Sequence, residues 1–268
     1  MGHWLVAALL VAFQLHSPVA VGQSARQGGT ARALPQDTGP PGALNPCVTC
    51  HQGLPEPAAA AHSFAEWRAS AHGGIVTCDK CHDGDPTATE QQAAHRGIYP
   101  SQDYRSKVYG TRIPATCGSC HQQELGFFTE SRHYTQLTTT RRGPSCVACH
   151  GSMAIRVLSA DELAGTCSAC HAPERGAPPE APVEARRLLL LFQQADSTLS
   201  ATEARLEQTA DARRREAAGR YLSQARDAVQ RARQAWHAFD LAMFNDTVSR
   251  AVAGLRRADS VLAGRPRR

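Results

Sequence analysis

The chain has 268 residues, 20% of them charged and 6% aromatic, with a formal net charge of +5. That length allows one or two domains, and so modest a charge makes no case for a nucleic-acid-binding protein. The unusual features are 10 cysteines and 12 histidines, with every cysteine between positions 47 and 170.

The N-terminus reads MGHWLVAALLVAFQLHSPVAVGQ, an apolar run over residues 4–13 followed by small residues around Ala20 and Gly22. This predicts a secretory signal peptide over residues 1–22. The run is too short to span a bilayer comfortably, and an uncleaved anchor is the alternative. No other segment is apolar enough to span a membrane, so the mature chain is expected to have no transmembrane segment. Residues 23–46, rich in Gly, Pro and small polar residues, predict a flexible linker.

Residues 47–171 hold all the cysteines, in five copies of one pattern. The copies are Cys47-Val-Thr-Cys50-His51, Cys78-Asp-Lys-Cys81-His82, Cys117-Gly-Ser-Cys120-His121, Cys146-Val-Ala-Cys149-His150 and Cys167-Ser-Ala-Cys170-His171. CxxCH is the attachment motif of c-type haem. Cysteines three apart share one face of a helical turn, so each thiol can form a thioether with one vinyl group. The next histidine then lies under the ring as proximal iron ligand. Zinc sites also use CxxC pairs, but do not require a histidine after every second cysteine. A disulfide framework, the usual fate of exported cysteines, would leave five histidines idle. The pattern therefore predicts five c-type haems. Five motifs in 125 residues leave too little chain for an ordinary apolar core, so the haems themselves are expected to form it.

Setting aside the motif histidines and His3 and His16 of the leader leaves His62, His72, His95, His133 and His237. Five candidates for a distal ligand face five irons; Met153 and Met243 are weaker candidates. Two imidazoles on every iron would close coordination and leave a carrier. One missing ligand would leave an open iron and allow chemistry.

Residues 172–182, APERGAPPEAP, predict a second linker. Residues 183–264 then turn to Ala, Arg, Leu, Gln and Glu. Apolar residues fall at helical spacing at Leu188, Leu191, Phe192, Ala195 and Leu199. They do so again at Leu222, Ala225, Val229, Ala232, Trp236, Phe239 and Met243, and at Val248, Val252, Leu255 and Leu262. The polar run 211–219 reads as a turn. The expectation is a helical hairpin, or a three-helix domain with its third helix after Asn245, followed by a basic tail over residues 265–268. The whole is thus expected to be mainly α with little regular structure: a haem-cored multihaem domain followed by helices.

Residues 64–171 resemble the periplasmic multihaem cytochromes c, the group that includes the cytochrome c3-like and NapC/NirT-like proteins. The resemblance rests on FAEWRASAHGGIVTCDKCH, KVYGTRIPATCGSCH, FFTESRHY and GPSCVACHGS. In that group an S-x-H element commonly supplies the distal ligand of a haem elsewhere in the chain. The resemblance thus implies that role for His72, after Ser70, and His133, after Ser131. It departs from the group at Gly151-Ser152-Met153, where a second histidine often follows CxxCHG, and in lacking a membrane helix of the NapC type.

Ten haem propionates would offset the basic count, and Arg213, Arg214 and Arg215 read as a solvated face. The function expected is electron transfer through five bis-His haems in the periplasm, in an anaerobic-type respiratory chain. The partners expected are redox proteins: a membrane electron donor, and a terminal reductase or an extracellular acceptor. The alternatives are an oxidoreductase with one open iron, reducing a small nitrogen or sulfur compound, and a subunit of a cytochrome filament.

Overall fold

The computed structural model describes residues 46–51 and 64–264. The expected signal peptide, nearly all of the expected first linker, His62 and the basic tail 265–268 lie outside the described residues. Within them the chain is helical, with no strand. Nine short helices come first: α1 Pro46–His51, α2 Phe64–Ala69, α3 Cys78–His82, α4 Gln91–Ala94, α5 Ile113–Gly118, α6 Gln122–Thr129, α7 Arg132–Thr140, α8 Cys146–His150 and α9 Ala160–Ser168. Three long ones follow: α10 Ala181–Gln208, α11 Ala212–Ala235 and α12 Leu241–Leu262.

The first nine are short because their sequence keeps stopping them. Gly151, at φ 81°, ends α8 directly after His150, and Asp83, at φ 65°, ends α3 directly after His82. In the third and fifth motifs the helix stops before the second cysteine. The turn still closes, since the N–H groups of His121 and His171 donate to the carbonyls of Cys117 and Cys167 at 3.0 and 2.9 Å. Helix α9 starts at a capping box, in which Ser159 and Glu162 satisfy each other's backbone N–H.

The buried apolar residues divide unevenly. Of the twenty among the described residues, only Val48, Phe128, Leu137, Ala160 and Leu163 belong to α1–α9. The other fifteen lie in α10–α12. The long helices form a three-helix bundle, cored by Ala195, Leu199, Leu222, Ala225, Val229, Ala251 and Leu255 at one end and by Leu188, Ala232, Phe244 and Val248 at the other. Many alanines line these faces, and small side chains let helix axes approach closely. At Gly254 an added Cβ would lie 3.1 Å from the Cβ of Ala225.

Two boundaries differ from the sequence reading. The run 211–219 is not a turn: Asp211 caps α11 by accepting from the N–H groups of Arg213 and Arg214. Arginine is a good helix former, and this polar stretch is an exposed helical face. The second apolar stripe does not run on to Met243. Helix α11 passes into a 3-10 turn, Trp236–Ala238, and Phe239 takes a left-handed conformation at φ 53°. Asp240 then caps α12, which begins ahead of Asn245.

The bundle leans on the haem-motif region through α10, which packs on α9, and through the Trp236–Ala238 turn, which packs on α6. Arg186 of α10 pairs with Asp161 of α9. Both groups are exposed, so the pair adds little stability.

A contrast between two glycines tests the packing. A Cβ at Gly143 would overlap the carbonyl of His133 and the backbone of Leu137, whereas one at Gly126 would meet nothing. Gly143→Ala is expected to destabilise the fold by about 1–3 kcal/mol, as overpacking does. Gly126→Ala, in the middle of α6, is expected to stabilise it by about 0.5–1 kcal/mol. Thermal melts of the two variants beside the parent give both values.

Candidate functional site

The cysteines fix where the motifs stand. All ten lie among the described residues, and no disulfide joins them. Consecutive motifs are neighbours through their thiols: Cys47 stands beside Cys78, and Cys117 beside Cys146. Cys81 likewise stands near Cys117, and Cys149 near Cys167. Burial first, and then Cys47, pushes the Cys78 thiol up to about 11. Burial, and then Cys167, does the same to Cys149. The motifs therefore follow one another in space in the order they have in sequence.

The histidines are arranged in pairs. His51 faces His95 with ring centroids 5.8 Å apart, and His72 faces His121 at 6.0 Å. His133 faces His171 at 5.9 Å, and His150 faces His237 at 6.2 Å. Each pair joins one motif histidine to one of the candidates singled out by elimination. A metal–imidazole bond is about 2 Å. The ring centre lies about 1 Å beyond the nitrogen, so two imidazoles on opposite sides of one iron have centroids about 6 Å apart. The four pairs have that separation. His82, at the end of α3, is the motif histidine outside these four pairs. His62, the remaining candidate, lies outside the described residues.

The second nitrogen of several rings is also placed for ligation. Nδ1 of His95 lies 2.7 Å from the carbonyl of Gln91, and Nδ1 of His150 lies 2.9 Å from that of Arg156. Nδ1 of His171 lies 2.9 Å from the carbonyl of Pro178, and Nδ1 of His237 lies 3.1 Å from that of Gln234. An Nδ1–H donated to a carbonyl fixes the tautomer and turns Nε2 toward a metal. Burial is the main force holding His72, His133 and His237 below the usual histidine range, and the facing imidazole adds to it at each. At each the shift favours the neutral ring, the form that binds a metal. Nδ1 of His133 is buried without a hydrogen-bond partner. A buried ring nitrogen left so is costly unless a further group occupies the site.

The serines of the two S-x-H elements have a mechanical role. Ser70 Oγ donates to the carbonyl of Trp67 and accepts from the N–H of His72 at 3.1 Å. Ser131, 2% exposed, caps α7: its Oγ donates to the Phe128 carbonyl at 2.7 Å and accepts from the Tyr134 N–H at 3.1 Å. Each serine closes a turn directly before the histidine and so sets where that histidine leaves the backbone.

These residues fit covalent haem. Thiols stand in CxxC pairs with a histidine beside each, imidazoles face one another across the gap one iron needs, and α1–α9 have too few buried apolar side chains for a core of their own. Among the described residues no three His, Cys, Asp or Glu side chains gather into a metal cluster of the zinc kind.

Residues 102–172 match the family model of cytochrome c7 and related cytochrome c. The match takes in the motifs at Cys117, Cys146 and Cys167, and it supports a multihaem c-type cytochrome with covalently bound haem iron that transfers electrons between redox partners. No curated protein and no solved structure matches the chain significantly. Among the described residues no helix is long and apolar enough to cross a membrane.

Sequence reasoning missed the carbonyl partners of the rings and the part played by Phe239. The ring of Phe239 lies 4.4 Å from that of His133 and 6.2 Å from those of Phe128 and Trp236. Its helical spacing marked it only as a packing residue.

Ser131→Ala is expected to cost about 1 kcal/mol, the usual loss on deleting an N-cap. It is also expected to loosen His133. Denaturant unfolding gives the first, and the breadth of the His133 ring resonances gives the second.

Proposed function

We propose that the chain is a pentahaem electron carrier exported to the periplasm, in which each iron is held between two histidines. The four facing imidazole pairs carry this reading. His51 with His95, His121 with His72, His150 with His237 and His171 with His133 each serve one haem. His82 with His62 serves the fifth by elimination. The ten cysteines tether the haems through thioethers.

When bound, the haems supply one-electron redox chemistry. The protein's own part is to bind them, to fill both axial positions and to hold them close together. Two imidazoles on every iron would leave no position for a substrate, which favours a carrier over a reductase with an open site. The chain-order contact of the motif thiols brings neighbouring haem edges together, as electron hopping needs. Partners on this reading are a membrane electron donor and a terminal reductase or extracellular acceptor, met in brief encounters over an exposed haem edge. The respiratory chain they serve is of the anaerobic type.

Two measurements test the proposal. The mass of the purified holoprotein is expected to exceed that of the mature polypeptide by five haems. Its oxidised electron paramagnetic resonance (EPR) and optical spectra are expected to show low-spin iron only. A high-spin component that shifts on adding nitrite or cyanide would overturn the carrier reading in favour of a reductase. His237→Ala in the full chain is expected to turn one haem in five high-spin and open it to cyanide, with haem content unchanged. Low-spin iron throughout that variant would remove His237 from the ligand set.

A further inference from the structure

The paired imidazoles do not meet at the same angle. His150 and His237 are stacked, with 23° between their planes. His51 with His95 and His72 with His121 are tilted at 40° and 39°. His133 and His171 stand close to perpendicular, at 79°.

The perpendicular pair also has a much closer aromatic neighbour than the His51–His95 pair, where Phe64 lies 6.5 Å from His51. The ring of Phe239 sits against His133 at 4.4 Å, with 70° between the planes. Behind it lie Phe128, edge-on at 6.2 Å, and Trp236, whose ring in turn meets Phe244 in the bundle core at 4.8 Å. Phe239 reaches this position only through a left-handed backbone at φ 53°. A bulky side chain there is a true outlier and costs free energy, so the surroundings must hold it in place. No hydrogen bond to Nδ1 orients His133, since that atom has no partner. His95, His150, His171 and His237 are each steadied by a carbonyl. An aromatic edge takes over the work that a hydrogen bond does elsewhere.

We propose that Phe239 is a positioning residue: carried on the strained turn between α11 and α12, it fixes the plane of the His133 imidazole perpendicular to that of His171. The proposal rests on the reading that these two histidines share one haem iron. Its consequence is electronic. Parallel imidazoles bind preferentially with one of the two iron dπ orbitals and split them, giving an ordinary rhombic low-spin signal. Perpendicular imidazoles treat the two orbitals alike, leaving them nearly degenerate and the signal strongly anisotropic. The orientation of the axial ligands is thus a lever on the metal that the protein controls. The His133–His171 centre is set apart from the other three pairs by a residue of the helical bundle.

The test is EPR on the oxidised holoprotein. The parent is expected to show one strongly anisotropic low-spin signal among rhombic ones. Phe239→Gly suits the left-handed turn and removes the whole side chain, ring included. It is expected to convert that signal to a rhombic one, with haem content and total low-spin iron unchanged. Phe239→Tyr is expected to keep the anisotropic signal. If Phe239→Gly fails to load haem, Phe239→Leu takes its place under the same criteria. An anisotropic signal that persists without the aromatic ring overturns the proposal, as does a high-spin iron in its stead, which would make Phe239 necessary for ligation rather than for orientation. His133→Ala separates this from the underlying assignment: it is expected to replace the same signal by a high-spin one. If the signal survives His133→Ala, the pairing itself is wrong.

Discussion

Facing imidazoles can be brought to about 6 Å only if something rigid holds the backbone on both sides of the gap. That separation constrains everything else in the structure. It explains why helices in the first part of the chain are a turn or two long: each has only to aim a histidine or a pair of thiols. It also explains the serines before His72 and His133, the carbonyls behind His95, His150, His171 and His237, and the glycine at 143 that lets α7 settle against the following loop. Few of these features bury much apolar surface. Their common effect is to fix direction, and the stability that goes with it must come from the haems and from the bundle.

The bundle is built the opposite way. Its three helices bury fifteen apolar residues, most of them alanine, leucine or valine at helical spacing, and form an ordinary hydrophobic core. Ion pairs such as Arg226 with Glu203 and Arg233 with Asp196 decorate it at the surface and contribute little each. Its distinctive part is the turn between α11 and α12. Over four residues that turn contributes Trp236 to the bundle core, His237 to His150 and Phe239 to His133. Two of the four observed imidazole pairs are therefore braced by one short segment that joins two helices of the bundle.

Much of this was legible in the sequence. Five CxxCH motifs announce themselves, because the spacing follows from the geometry of two thioethers and one ligand. Counting the remaining histidines singled out His62, His72, His95, His133 and His237, and each of the four that lie among the described residues faces a motif histidine. The assignment of partners was not legible: His95 lies between the second and third motifs yet faces His51, and no local pattern records that. The run 211–219 misled because consecutive arginines look like a loop when only polarity is weighed, although their helix propensity is high. Phe239 misled for a different reason. It falls on the helical period of its neighbours, and nothing in the sequence marks the left-handed residue that takes it off the helix. The carbonyls that orient the rings carry no side-chain signature at all.

The distance in sequence between His150 and His237 bears on how the protein matures. Loop-closure entropy grows only slowly with loop length, so joining such remote residues costs little at equilibrium. In time the effect is larger, because contacts between remote residues form late. His150 can meet its partner only once α10 and α11 have been made. Its neighbours find theirs within a few dozen residues. The site around His150 is thus the last to be completed, and correct folding of the bundle becomes the final inspection of the motifs that precede it.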